Sequence, residues 1–129
     1  MKFLEIIIII FLTILFQSCD PGGIIKFKVL NKTSKPIKVK YNLGINGDTS
    51  MQNIEIPANA SRIINEINHL GFAKEYDSLT DSIDISVLEL THQDKLIKRN
   101  FKDKRNWIFS EMDDLNATYK LIIDSSFFK

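Results

Sequence analysis

The residue types that do chemistry are few and scattered. One Cys (Cys19) and two His (His69, His92) are a poor donor supply for a zinc site, and a single thiol allows no internal disulfide. Each His stands in a turn-like stretch with no second His or Cys close in sequence. Neither an H-x-x-x-H pair nor a G-x-S-x-G elbow occurs. Triads are defined by geometry and can be assembled from distant residues, but no spacing in this chain points to one. The expectation is a non-enzyme with no metal and no cofactor.

The groups that do cluster are cationic. Lys26 and Lys28 alternate with Ile25, Phe27 and Val29, and Lys38 and Lys40 alternate with Ile37, Val39 and Tyr41. If these two runs form a hairpin, four ammonium groups share one wet face. Like charges directly opposite one another are unfavourable. Such a face calls for acidic side chains from another strand, an external anion, or an edge position where Lys blocks strand addition. Lys26, Lys28, Lys38 and Lys40 are therefore the candidate anion-binding set.

A second basic run, Lys98-Arg99-Asn100-Phe101-Lys102-Asp103-Lys104-Arg105-Asn106-Trp107, sets cations beside an aromatic. That chemistry suits a glycan or an anionic head group. The plainer expectation is a Trp packed at the end of a sandwich with solvated charges around it. The totals, 17 Lys+Arg against 16 Asp+Glu, hide this segregation: residues 24–40 hold six Lys and no acid, whereas residues 44–94 are acidic. Basic stretches without interleaved exposed aromatics exclude nucleic acid as an expected partner.

The amino end carries a different signal. Met1-Lys2-Phe3-Leu4-Glu5 precedes an apolar run from Ile6 to Phe16, then Gln17-Ser18-Cys19. Eleven helical residues reach roughly 16 Å, against a hydrocarbon core of about 30 Å, so the run suits export better than spanning. Phe16 is too large for the third-last position of an ordinary signal-peptidase cut after Ser18. The stretch Leu15-Phe16-Gln17-Ser18-Cys19 resembles a bacterial lipobox, of the loosened kind found in small Bacteroidota lipoproteins. Here Phe16 stands where Leu is usual, and Gln17 is atypical.

The resemblance implies a signal peptide over 1–18, acylation (palmitate-type chains) of Cys19, a flexible tether over 19–23, and one domain over 24–129. Two or more acyl chains make a stable anchor. The implied address is the cell envelope, with the outer membrane favoured. Asp20 also resembles an inner-membrane retention signal, so the leaflet stays open. Asp77-Ser78-Leu79 and Asp81-Ser82-Ile83 resemble the O-glycosylation motif of exported Bacteroidota proteins, which makes Ser78 and Ser82 candidate glycan acceptors.

These groups must be held by a fold, and the alternation says which. Period-two patterning marks Ile25–Val29, Ile37–Leu43, Ile54–Ile56, Ile83–Val87 and Thr118–Ile123 as strands with one buried face. Weaker alternation covers Arg62–Ile67, Leu96–Phe101 and Asn106–Met112. The pattern slips at Leu88 and Leu90, which implies a bulge or burial on both faces. Turn chemistry separates the runs: Asn31 to Pro36, Asn46-Gly47-Asp48, Pro57 to Ser61, His92-Gln93-Asp94 and Asp113 to Asn116.

The N-x-[ST] triplets at Asn31, Asn59 and Asn116 fall in these reversals and read as turns. Residues 70–80 have loose helical spacing, and Phe127 is expected to extend the last strand. The predicted fold is an all-β antiparallel β-sandwich (Ig-like or Greek-key) of about 7–8 short strands with one short helix. The expected function is a membrane-anchored, non-catalytic interaction module. Its partner would be an envelope protein or an anionic glycan or lipid. The alternative is a small-ligand carrier or envelope enzyme with a concave pocket.

Overall fold

The computed structural model describes residues 21–44 and 50–128. Among these residues eight strands form: β1 (Gly22–Asn31), β2 (Ile37–Asn42), β3 (Gln52–Ile56), β4 (Ser61–Leu70), β5 (Val87–His92), β6 (Lys95–Leu96), β7 (Trp107–Glu111) and β8 (Ala117–Ile123). Among the described residues one α-helix, α1 (Ala73–Leu79), follows β4. The strands make two four-stranded sheets, ordered β4-β1-β8-β7 and β3-β2-β5-β6. The protein is an all-β sandwich.

Alternation builds the core directly. Ile25, Phe27 and Val29 of β1 and Tyr119, Leu121 and Ile123 of β8 are buried in the first sheet. Ile37 and Val39 of β2 and Leu88 and Leu90 of β5 are buried in the second. Phe27 stacks on Tyr119 at 5.4 Å between ring centroids and meets Trp107 edge-on at 6.1 Å. A bulge between Phe27 and Lys28 gives β4 an extra residue: Asn65 opposes Phe27 while Ile63 opposes Lys28. Consecutive Ile64 and Asn65 therefore both turn inward. Asn65 satisfies its buried amide on the Asp84 carbonyl at 3.1 Å.

Four expectations change. First, β1 and β8, from opposite ends of the domain, pair in parallel, whereas the other neighbours pair antiparallel. The rest of the domain serves as their crossover. Second, β1 and β2 do not form a hairpin; they lie in different sheets.

Third, the alternation over 83–87 is not a strand. The Ile83 amide donates to the Lys102 carbonyl and the Ile85 amide to the Ile83 carbonyl, which kinks the backbone while both Ile side chains stay buried. The strand starts at Val87, so Leu88 and Leu90 take the inward positions, and the slip in the pattern is the change of element. Similarly, Leu96–Phe101 is strand only at Lys95–Leu96.

Fourth, the chain leaves β8 at Ile123 instead of extending it. The Asp124 carboxylate accepts from the Ser126 amide at 2.9 Å, and residues Ser125–Phe128 form a 3-10 turn. Phe127 then stacks on Phe101 and Phe128 on His92, tying the tail to the second sheet.

The two ends of the sandwich differ. At the far end, where β1 finishes, Asn31 is fully buried and joins the sheets. Its amide donates to the carbonyls of Lys35 (2.8 Å), Ile56 (3.1 Å) and Pro57 (3.1 Å). Its oxygen accepts from the Thr33 amide (2.9 Å) and hydroxyl (2.7 Å). The Asn31-Lys32-Thr33 triplet is thus a turn whose asparagine is consumed internally. At the near end, where β1 begins, the 112–116 turn packs against Gly23.

Candidate functional site

The four lysines of the candidate anion set are divided between the outer faces of the two sheets. On the second sheet, Lys38 lies opposite Glu55 of β3, and Lys40 lies opposite Glu89 of β5. Lys38 also reaches Asp94 at 3.1 Å. Acidic side chains therefore interleave with this pair.

The first sheet is different. Lys26 faces Glu66 at 4.0 Å. Lys28, however, sits in register with Lys120 across the parallel β1–β8 pair, and Ile63 and Ile108 flank that row in β4 and β7. Among the described residues, neither Lys28 nor Lys120 has a carboxylate within salt-bridge distance. Ile63 is 43% and Ile108 56% exposed. The outer face of this sheet thus presents two adjacent cations between two uncovered aliphatic side chains. Lys120 was not singled out in the sequence; only the β1–β8 register, a long-range pairing, brings it to Lys28.

The basic run 98–107 is largely neutralised by the molecule itself. Trp107 is buried and donates its indole N–H to the Phe101 carbonyl at 2.7 Å, so its ring is not offered to a glycan. Arg105 forms a two-pronged contact with Asp103. That guanidinium, with the Arg105 backbone amide, lowers the Asp103 carboxyl pKa to about 2. Arg99 lies over the Phe127 ring at 4.2 Å.

Lys104 bonds to Asp77 at 2.7 Å, and the Tyr119 hydroxyl donates to the same carboxylate at 2.5 Å. Burial first, and then the Asp77 charge, push the Tyr119 phenol well above its ordinary range, keeping it a neutral donor. These three groups satisfy one another and clamp α1 across the sandwich.

Open grooves adjoin this clamp. One of about 560 Å³ runs from Leu43 and Gly44 past Tyr76 to Asp81–Ser86 and Lys102. Ser78 and Ser82 are both exposed. Ser78, in α1, donates to the Glu75 carbonyl, and Ser82 bridges to Asp103. The histidines are far apart in the fold: His69 contacts the Leu115 carbonyl through Nε2 at 2.7 Å, and His92 stacks on Phe128.

Gly22 and Gly23, which fall in the expected tether over 19–23, are the first two residues of β1, paired with Leu70 and His69. Cys19 and the Asn46-Gly47-Asp48 reversal lie outside the described residues. Among the described residues no helix is long and apolar enough to cross a membrane. No protein-family model, curated protein or solved structure matches the chain.

Proposed function

We propose that the chain is a cell-envelope lipoprotein, acylated at Cys19, whose sandwich is a non-catalytic interaction module for an acidic envelope protein. The observation that carries the module reading is the Lys28–Lys120 row flanked by Ile63 and Ile108. Two like charges in register repel, and an incoming carboxylate relieves that repulsion. The flanking aliphatics add apolar contact around the charges, the mixture expected where a protein surface docks. The anchor reading rests on the lipobox-like Leu15–Cys19 run. An anionic glycan or lipid head group is the competing occupant of the same cations.

The test uses the acylated protein captured from its own envelope, with bound material identified by mass. Lys28→Glu/Lys120→Glu should abolish capture of the acidic partner. Lys38→Glu/Lys40→Glu, on the other sheet, should leave it intact. Raising ionic strength should weaken capture, because exposed charges are screened over about 8 Å at physiological salt. Capture that survives reversal at Lys28 and Lys120 refutes the module reading. An intact mass lacking acyl chains refutes the anchor.

A further inference from the structure

The near end of the sandwich carries four exposed large apolar side chains: Leu70 (75%), Met112 (65%), Phe72 (54%) and Ile24 (38%). They converge there for structural reasons. Leu70 is the last residue of β4 and pairs with Gly22. Phe72 follows Gly71, whose amide donates to the Pro21 carbonyl at 2.8 Å. Met112 opens the turn whose Asn116 side chain accepts the Ile24 amide at 2.9 Å. A groove of about 450 Å³ runs beside Ile24 and Leu70, lined by Gly22–Ile24, Asn68–Leu70 and Asn116.

The geometry points to the bilayer interface as what covers this end, so that the module is seated on the membrane by Leu70, Phe72, Met112 and Ile24. This rests on acylation of Cys19. The deciding quantity is tether length. Pro21 and Gly22 are already paired with Gly71 and Leu70, and the three residue steps from Cys19 to Gly22 span at most about 10 Å. An acylated Cys19 lies at the membrane surface, where each interfacial zone is about 6 Å deep. A reach of about 10 Å against a zone about 6 Å deep keeps the near end within a few ångström of that zone, and the side chains it brings there are apolar.

Other exposed apolar residues lie elsewhere: Ile63 and Ile108 on the sheet face, Leu96 and Phe128 towards the far end, Leu79 at the last turn of α1 and Val87 at the start of β5. Charge separates this seat from a lipid-headgroup site. Glu111, Asp113 and Asp114 adjoin it, against Lys74. Seating therefore comes from apolar insertion and is not strengthened by anionic lipid. It also leaves the Lys28–Lys120 face free for a partner.

The test places a fluorophore at each surface. Acylated full-length protein is reconstituted in phosphatidylcholine vesicles whose acyl chains carry bromine, a contact quencher. Leu70→Trp and Phe72→Trp are compared with Leu96→Trp and Ile63→Trp. All four side chains are substantially exposed, so the fold accommodates the changes, and the buried native Trp107 is a common background. Quenching at 70 and 72 should be several-fold stronger than at 96 and 63, and replacing part of the lipid with phosphatidylglycerol should not increase it.

Equal quenching at all four positions overturns the seat, as does strongest quenching at 63. Crosslinking between copies through position 70 without quenching assigns the end to a second copy and also overturns it. The intact mass of the same sample separates the two readings. Acyl chains on Cys19 without quenching overturn only the seat. A free Cys19 thiol with protein left in the supernatant overturns both the seat and the anchor.

Discussion

Asn31 offers the sharpest quantitative test of how the far end is held. Its side chain connects the end of β1 to the segment before β2 and to the end of β3, so one amide bridges both sheets. It is fully buried, and each of its polar atoms is engaged. Asn31→Ala removes all five contacts and leaves the Ile56 carbonyl and the Thr33 amide to find other partners. At about 1 kcal/mol net per intramolecular hydrogen bond, the five contacts put the expected cost at about 5 kcal/mol. That is a large share of the roughly 5–15 kcal/mol typical of a whole domain.

Asn31→Asp separates hydrogen bonding from packing, because the shape is kept and the donors are lost. A carboxylate at that position faces three carbonyl oxygens in a buried site, so its folded pKa is raised. The sign follows. Below about pH 4 the side chain is protonated in both states, and one hydroxyl can still donate. As pH rises through the unfolded value, the unfolded chain ionises and the folded one resists, so stability falls until the folded pKa is passed. Urea denaturation of Asn31→Asp between pH 3 and 8 should show a deficit against wild type that widens with pH. A deficit independent of pH, or an Asn31→Ala cost under about 1 kcal/mol, the level of a single hydrogen bond, refutes the bridging role.

The near end and the basic loop yield two more tests. A Cβ on Gly23 would lie 1.9 Å from the Leu115 carbonyl oxygen, whereas one on Gly22 meets nothing closer than 3.4 Å. Gly23→Ala should lower stability by about 3 kcal/mol in denaturation, since backbone must shift to admit it, while Gly22→Ala should be close to neutral. Asp103 should titrate near 2 by NMR, and Arg105→Ala should return its midpoint towards the ordinary 3.8. A depressed carboxyl stabilises the fold above its unfolded pKa, so this contribution is lost as pH falls from about 4 to 2.

How much of this was legible follows from what each feature depends on. Strands with one wet face announce themselves, because Ile25–Val29 and Tyr119–Ile123 need only local alternation. The partners of those strands are not local. Nothing near Lys28 indicates that Lys120 will stand beside it, or that Lys38 and Lys40 will go to another sheet. The 83–87 segment shows the limit of periodicity from the other side. Ile83 and Ile85 are buried as alternation requires, yet the kink between them breaks the ladder, since burial constrains side chains and not hydrogen bonding. The tail departs from the alternation because Asp124 competes locally for the chain: its carboxylate turns the backbone before Phe127 can continue the strand.

The same long-range pairing that hid the cation row also fixes how the surfaces divide. β1 is central in its sheet and starts two residues beyond Asp20, so the near end is set by the chain's entry, whereas the outer face is set by the β1–β8 register. The near end is apolar because β4 ends there, α1 starts there and the 112–116 turn reverses there, leaving Leu70, Phe72 and Met112 without a second layer. The outer face is cationic because parallel pairing aligns Lys28 with Lys120 instead of offsetting them. The two surfaces depend on different contacts, so they should separate by mutation. Charge reversal at Lys28 and Lys120 should change partner capture without changing bromolipid quenching at position 70. If that reversal shifted the quenching as well, the cation row and the apolar end would be one membrane-facing surface, and the independence argued here from topology would fail.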